Sequence, residues 1–332
     1  MTYGRLPRPL RFRLGVLAVL NGLLLALIGV TIPEGGTFSA VFSKVGADLC
    51  PMVLAALGMT GIILTGAIDL SIGSIIAVAA TVFGVLVAHE QPPAVCFGAC
   101  FGTAWLLSMA NGWLIRGLRL PAIIVTLGGL TFYRGVAAIV ASLLSPADAP
   151  FRGTLYVEAG ADVTWAYNGP GEVYPGWILG VVVALAVVWE WNAYVPRTWI
   201  ALGNSEEACR LQGLHPGRVQ QSAFLVGGIF VGVAAVVAAS GVKTIVPEKM
   251  VSGLELQIIG AVVVGGTNIF GGEGSYLGTV LGCFFFYFVS QALLYLHIPE
   301  HYAQVVIGAT VVAVIGVDCL LHRRAKLMEE LR

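Results

Sequence analysis

The sequence predicts an all-α polytopic membrane protein of about ten transmembrane helices, both termini cytoplasmic, with one short cytoplasmic helix between two spans. Three observations predict it. Of the 332 residues, 58% are hydrophobic and only 11% charged, whereas about a quarter of a soluble domain is charged. The apolar residues come in blocks of roughly 20, the length that matches the hydrocarbon thickness of a bilayer. Lys and Arg collect in alternate connections. Within lipid the backbone must satisfy itself, so the blocks are helices.

Taken in order, the spans run roughly over 14–32, 49–66, 70–88, 94–115, 120–144, 173–194, 219–241, 254–270, 275–296 and 303–321. They form one transmembrane domain over 1–332. Arg5, Arg8, Arg11 and Arg13 before the first block resemble a signal peptide. No small-x-small site closes that block, so it reads as a retained helix. With the N-terminus inside, the inner segments hold Arg5, Arg8, Arg11, Arg13, Arg116, Arg119, Arg197, Arg210, Arg218, Arg323, Arg324, Lys326 and Arg332. The outer segments hold Lys44, Arg152, Lys243 and Lys249, and Arg134 lies within a span. That bias fits the positive-inside rule. The narrowest boundary, Gly66 to Gly73, separates the second and third spans.

Two connections exceed hairpin length: an outer one over about 145–172 and an inner one over about 195–218. Long loops in a compact protein usually carry function. Gly98-x3-Gly102, Gly228-x3-Gly232 and Gly278-x3-Gly282 each place two glycines on one helix face, which predicts close helix packing. The six cysteines form no CxxC pair and read as buried thiols, with no metal site expected. His297-Ile-Pro-Glu-His301 matches a zinc-protease spacing, but Pro299 breaks the helix that would align its histidines.

Three segments carry polar chemistry. In the inner loop, Asn204 or Ser205 can cap a helix whose first turn holds Glu206 and Glu207. Ala208, Cys209 and Arg210 continue it, Gly213 stops it and Pro216 prevents its resumption. Such a helix is a natural docking knob for a soluble partner. Asp69, followed by Ser71, interrupts apolar sequence; it reads either as a carboxylate beside a translocation path or as a cap where the third span begins. Gly265 and Gly266, with Gly271, Gly272 and Gly274, surround Thr267 and Asn268 in a segment that reads as a hinge or gate, or as a tight cytoplasmic turn.

Among lesser polar positions, Gln257 and Gln291, if they face the bundle interior, could hydrogen-bond a hydroxylated solute; Phe132, Tyr133, Phe285 and Tyr287 could stack on one, although lipid contact is the expected role of most of these aromatics. Arg134 reads as snorkelling or bonded to carbonyls, and Glu190 and Glu255 as interfacial. No G-x4-G-K-[S/T] pattern occurs, so the chain encodes no nucleotide site of that kind.

The segment Glu207-Ala-Cys-x3-Gly213 resembles the Glu-Ala-Ala-x3-Gly signature of the coupling loop in ATP-binding-cassette importer permeases, departing from it at Cys209. Gly66-Ala-Ile-Asp-Leu-Ser-Ile-Gly73 and Val264-Gly-Gly-Thr-Asn-Ile-Phe-Gly-Gly-Glu-Gly274 resemble two stretches of the ribose-type branch, which is related to the branched-chain amino acid permeases. The three stand in the same order and spacing, and the likeness extends from about residue 14 to 321.

The resemblance implies a sugar-importer permease of the bacterial inner membrane. ATP and Mg would be bound by two separate ATPase subunits and not by this chain, which would be no enzyme. It further implies a second permease chain, the same or similar, and a periplasmic solute-binding protein; nucleic acid has no place among these partners. The rival readings are an ion-coupled secondary transporter, for which Asp69 is the one convincing ion-site carboxylate, and an intramembrane enzyme, for which no catalytic constellation is found.

Overall fold

A computed structural model describes residues 8–31, 38–145, 153–156, 174–250 and 253–298, with residues 302, 304–306, 308–313 and 316 beyond them. Five helices come first: α1 (Arg8–Thr31), α2 (Phe38–Leu64), α3 (Ile72–Ala88), α4 (Pro93–Leu118) and α5 (Ala122–Leu144). After a short strand β1 (Leu155–Tyr156) come α6 (Tyr174–Asn192), α7 (Tyr194–Asn204), α8 (Glu206–Leu211) and α9 (Pro216–Ser240). Strand β2 (Thr244–Ile245), α10 (Pro247–Met250), α11 (Leu254–Val264) and α12 (Tyr276–Tyr295) complete the described order.

Among the described residues, five helices are long and apolar enough to cross a bilayer: α1, α4, α5, α9 and α12. A sixth crossing arises if α6 and α7, which meet at a 68° bend, count as one. The apolar stretch Leu49–Leu64 of α2, together with α3 and α11, is shorter. The expected span 254–270 therefore ends early, at Val264, because glycines follow. The inner loop holds a second helix, α7, that its mixed composition hides. The tenth expected span, 303–321, is described only in part.

The middle of the bundle is formed by α2 and α3. From Val53 to Thr65 and from Ser71 to Thr81 every residue is buried. The apolar blocks there have no polar face because neighbours surround them: α9, α6, α11 and α12 pack on α2, and α4, α5 and α9 on α3. Hydrogen bonds cross between helices where apolar sequence carries an isolated polar residue. Asn21 Nδ2 donates to Leu281 O at 3.0 Å, and the Thr60 and Thr279 hydroxyls meet at 2.6 Å.

Two of the three small-residue pairs pack as expected. A Cβ added at Gly228 would lie 2.8 Å from Ser108 Cβ, and one at Gly232 2.6 Å from Phe101 Cδ2, both on α4. A Cβ at Gly278 or Gly282 would collide with the backbone of Gly265 or Ala261 on α11. The third pair is a correction: Gly98 and Gly102 meet nothing within 4 Å, because that side of α4 points away from the chain. Gly232→Leu should therefore cost about 1–3 kcal/mol through overpacking. Gly98→Leu should stay within about 0.5 kcal/mol; thermal melts of the two variants in one detergent check the contrast.

Connections gather at two ends. At one end close backbone contacts among Gly66, Gly203 and Gly271 bring together the α2–α3 and α11–α12 connections and the α7–α8 arm, and Arg119 to Pro121 of the α4–α5 connection share a cleft with Thr65, Leu202, Glu206 and Arg210 there. At the other, β1 pairs antiparallel with β2, and Leu155 and Ile245 close over Gly84 near the end of α3. This two-stranded sheet is the one departure from an all-α chain among the described residues. Most of the outer loop 145–172 lies outside the described residues.

Candidate functional site

Helix α8 is built as its sequence dictates. Ser205 is its N-cap: Oγ accepts the Ala208 N–H at 3.1 Å, and Glu206 and Glu207 occupy the first turn. At the other end Leu214 N–H donates to Cys209 O at 3.1 Å and Gly213 N–H to Arg210 O at 2.9 Å. With Gly213 at φ +78°, this is the paired-bond arrangement that closes a helix through a left-handed glycine. The Arg210–Glu206 ion pair, 2.5 Å long, is exposed and therefore adds little stability.

Asn204, the other candidate cap, instead ends α7. Its Nδ2 donates to Ile200 O at 2.9 Å and Gly272 O at 3.1 Å. Ser205→Ala should cost the turn about 1 kcal/mol, read as severalfold faster tryptic cleavage after Arg210.

On α8 only Cys209 is buried, packed with Ile62, Leu64, Trp199 and Val219; Leu211 at its tip is 83% exposed. The helix is thus pinned by one small side chain and presents the rest outward. Burial, then the Glu206 carboxylate, pushes the Cys209 thiol above its ordinary value. It is an inert packing group.

Beside α8 three chain segments cross at van der Waals distance. A Cβ at Gly203, the penultimate residue of α7, would collide with Leu64 O at the end of α2 and with Gly272 N. One at Gly271 would lie 2.6 Å from Gly66 N and 3.0 Å from Gly203 Cα. Gly272 N–H donates to Leu64 O at 3.0 Å. This junction joins all three sequence motifs: the α2–α3 break, the α7–α8 arm and the glycine-rich segment.

The glycine-rich segment itself is a tight turn. Asn268 N–H donates to Glu273 O at 2.8 Å, Gly271 N–H to Asn268 O at 2.9 Å, and Asn268 Oδ1 accepts the Phe270 N–H at 3.0 Å. Gly265 is packed on Gly278, Gly266 has φ +94°, and Thr267 is buried against Gly274.

Asp69 and Ser71 lie in a buried hydrogen-bond chain. Asp69 Oδ1 accepts from Ser71 N–H at 2.8 Å and Ser71 Oγ–H at 2.6 Å. Asn111 Nδ2 on α4 donates to Ser71 Oγ at 2.8 Å, and Tyr133 on α5 donates to Asn111 Oδ1 at 2.8 Å. Asp69 thus holds the backbone and hydroxyl of Ser71, the residue from which α3 begins, while no side chain caps the first turn of α3. Asn111, a polar residue inside an apolar block, is the signal that sequence reasoning passed over.

Other expectations are corrected. Tyr133 is buried in that chain and does not present its ring for stacking. Glu190 is held in place: both carboxyl oxygens accept the Tyr276 N–H at 3.2 Å, capping α12 from α6 beside Trp189 and Trp199. Glu255 is buried and pairs with Arg134 at 3.1 Å. Gln257 is half-buried on the first turns of α11, away from the junction. Among the described residues, no cluster of His, Cys, Asp or Glu could hold a metal ion. His297 follows α12 at φ +58°, and His301 lies outside the described residues.

The described residues thus form a helical bundle with several apolar spans and a capped helix pinned to its end through a glycine junction. Residues 41–315 match the family described as the branched-chain amino acid transport system / permease component. The chain belongs to that family of ATP-binding-cassette importer permeases.

Among curated proteins it is 31% identical over 277 residues to the autoinducer 2 import system permease protein LsrC of Photorhabdus luminescens, covering 80% of this chain and 78% of that one. It is 30% identical over 275 residues to the LsrC protein of Klebsiella pneumoniae, covering 82% and 76%. A solved structure described as a metal-chelate type ABC transporter in an inward-facing conformation superposes with a TM-score of 0.52 at 11% identity. It covers 91% of this chain and 98% of its own, a likeness of fold alone.

Proposed function

We propose that this chain is the membrane-spanning subunit of a binding-protein-dependent importer for a monosaccharide or sugar-like solute, with α8 as the helix through which a separate ATPase drives alternating access. The observation that carries the reading is the glycine junction. It ties the α7–α8 arm by direct backbone contact to the end of α2 and to the turn between α11 and α12. Backbone packed on backbone has no compliant side chain between the segments, so displacement of the arm is passed on to the bundle.

The further architecture is ten spans with both termini cytoplasmic. The grouping of α8 with the α2–α3, α4–α5 and α11–α12 connections at one end agrees with that alternation. Arg116, Arg119, Arg210 and Arg218 flank α8 there, on the side that positive charge assigns to the cytoplasm. ATP and Mg belong to two ATPase subunits, a second permease chain completes the path, and a periplasmic binding protein delivers solute on the β1–β2 side. The LsrC relatives carry autoinducer 2 by name, which favours a neutral, hydroxylated solute here.

Uptake of ribose or autoinducer 2 by inverted or right-side-out vesicles tests the energy source. Uptake that requires ATP on the α8 side and survives a protonophore supports the reading. Uptake driven by an ion gradient without ATP would replace it with secondary transport.

A further inference from the structure

Arg134 lies about 18 Å along α5 from Ala122, deep within a span. It is not enclosed: its side chain is 34% exposed, and its neighbours Thr131, Phe132 and Gly135 are exposed as well. Its partner Glu255, from the first turn of α11, is buried. One bond joins them, Arg134 Nη2 to Glu255 Oε1 at 3.1 Å. Two buried polar atoms of the pair, Arg134 Nε and Glu255 Oε2, have no hydrogen-bond partner. Unmet buried donors and acceptors are costly, and a charged group facing hydrocarbon at this depth is more so. The pair is built to face something polar.

The same face of α5 continues outward at helical spacing through Ala138 and Ser142. There it opens into a cleft of about 400 Å³ against Gly153, Thr154, Pro247 and Glu248. That volume falls in the usual range of small-molecule sites, about 300–1,000 Å³. The cleft lies at the β1–β2 end, opposite α8.

We propose that Arg134 and Glu255 form a polar subsite on the solute path, which takes hydroxyl groups of a neutral polyhydroxylated solute descending from this cleft. The exposed part of the Arg134 side chain is what a solute meets first; Arg134 Nε and Glu255 Oε2 are closed to solvent in this state, and the solute oxygens satisfy them when the pair opens during transport. The pair carries no net charge, which suits a neutral polyol and gives a charged solute no compensation for its lost hydration. The inference rests on the transport reading above and adds to it where, and by which residues, the solute is held.

The test uses the full chain in its native membrane. Thr131→Cys, on the Arg134 face, should react with a membrane-impermeant charged methanethiosulfonate at least tenfold faster than Leu106→Cys on the exposed side of α4, the unaltered chain giving the background. Glu255→Gln and Arg134→Gln should each lower uptake of ribose or autoinducer 2 at least tenfold, while the chain still co-purifies its ATPase. Equal labelling of Thr131→Cys and Leu106→Cys would overturn the proposal, as would uptake within twofold of the parent in Glu255→Gln. Where Glu255→Gln fails to accumulate, the Thr131→Cys labelling decides alone. A parent chain that binds no ATPase would sink the transport reading itself, which is a different result.

Discussion

Gly203→Val is expected to abolish ATP-driven uptake, with at least a tenfold loss even where the chain still reaches the membrane. The position is helical, so valine meets no backbone restriction of its own. The obstacle is contact: the first added carbon collides with Leu64 O and Gly272 N, and lies 2.9 Å from Gly271 C. None of these is a side chain that can turn aside. The α7 end must lift from α2 and from the 268–273 turn, and Asn204 then loses its bond to Gly272 O. Overpacking of this kind costs about 1–3 kcal/mol, so folding suffers while the path from α8 to the bundle is cut. Measuring chain level, ATPase co-purification and uptake in the same cells separates the effects. Retained ATPase binding with lost uptake is the expected pattern. Normal uptake would show that the junction transmits nothing.

Asp69→Leu should be the most damaging change outside the junction. Asp69 Oδ1 is the common acceptor for Ser71 N–H and Oγ–H, and the Ser71 hydroxyl in turn accepts from Asn111. All of these groups are buried. Leucine leaves Ser71 N–H without that acceptor and forces its hydroxyl to reorient, at about 1–3 kcal/mol for each unmet group. It also loosens Asn111 from Tyr133, so the contact of α3 with α4 and α5 weakens. Asp69→Asn keeps an acceptor oxygen at the same place and should cost about 1–2 kcal/mol. Thermal unfolding of the detergent-solubilised chain should rank parent, Asn and Leu in that order. Equal melting of Asn and Leu variants would mean that Oδ1 is not the organising acceptor.

How much of this is legible beforehand depends on whether the signal is local. Helix α8 is legible to the residue because a cap, acidic first turn and stop glycine act within one turn of chain. The break at Gly66 is legible for the same reason. The bend between α6 and α7 is not: Trp189 to Trp199 reads as apolar sequence running into a loop, and the 68° turn is set by packing of Trp199 beneath α8 and on Ser222. Gly203 looks like one glycine among 43, and its role appears only when α2 and the 268–273 turn arrive from distant sequence. The bonds that hold Glu190 and Glu255 are not legible because their partners, Tyr276 N–H and Arg134, lie far along the chain. Gly98-x3-Gly102 fails in the opposite direction: the spacing is right, but nothing in this chain packs there.

The most direct measurement is co-purification of the chain with the ATPase subunit of its importer, comparing the parent with Glu207→Lys and Gly213→Arg. Glu207 is exposed on α8 and makes no described contact that folding needs, while Gly213 holds the left-handed stop at φ +78°. The parent should bring down the ATPase, and both variants should insert normally yet lose it, with ATP-driven uptake lost in step. Undiminished ATPase binding by both variants would contradict the assignment of α8 as the docking helix.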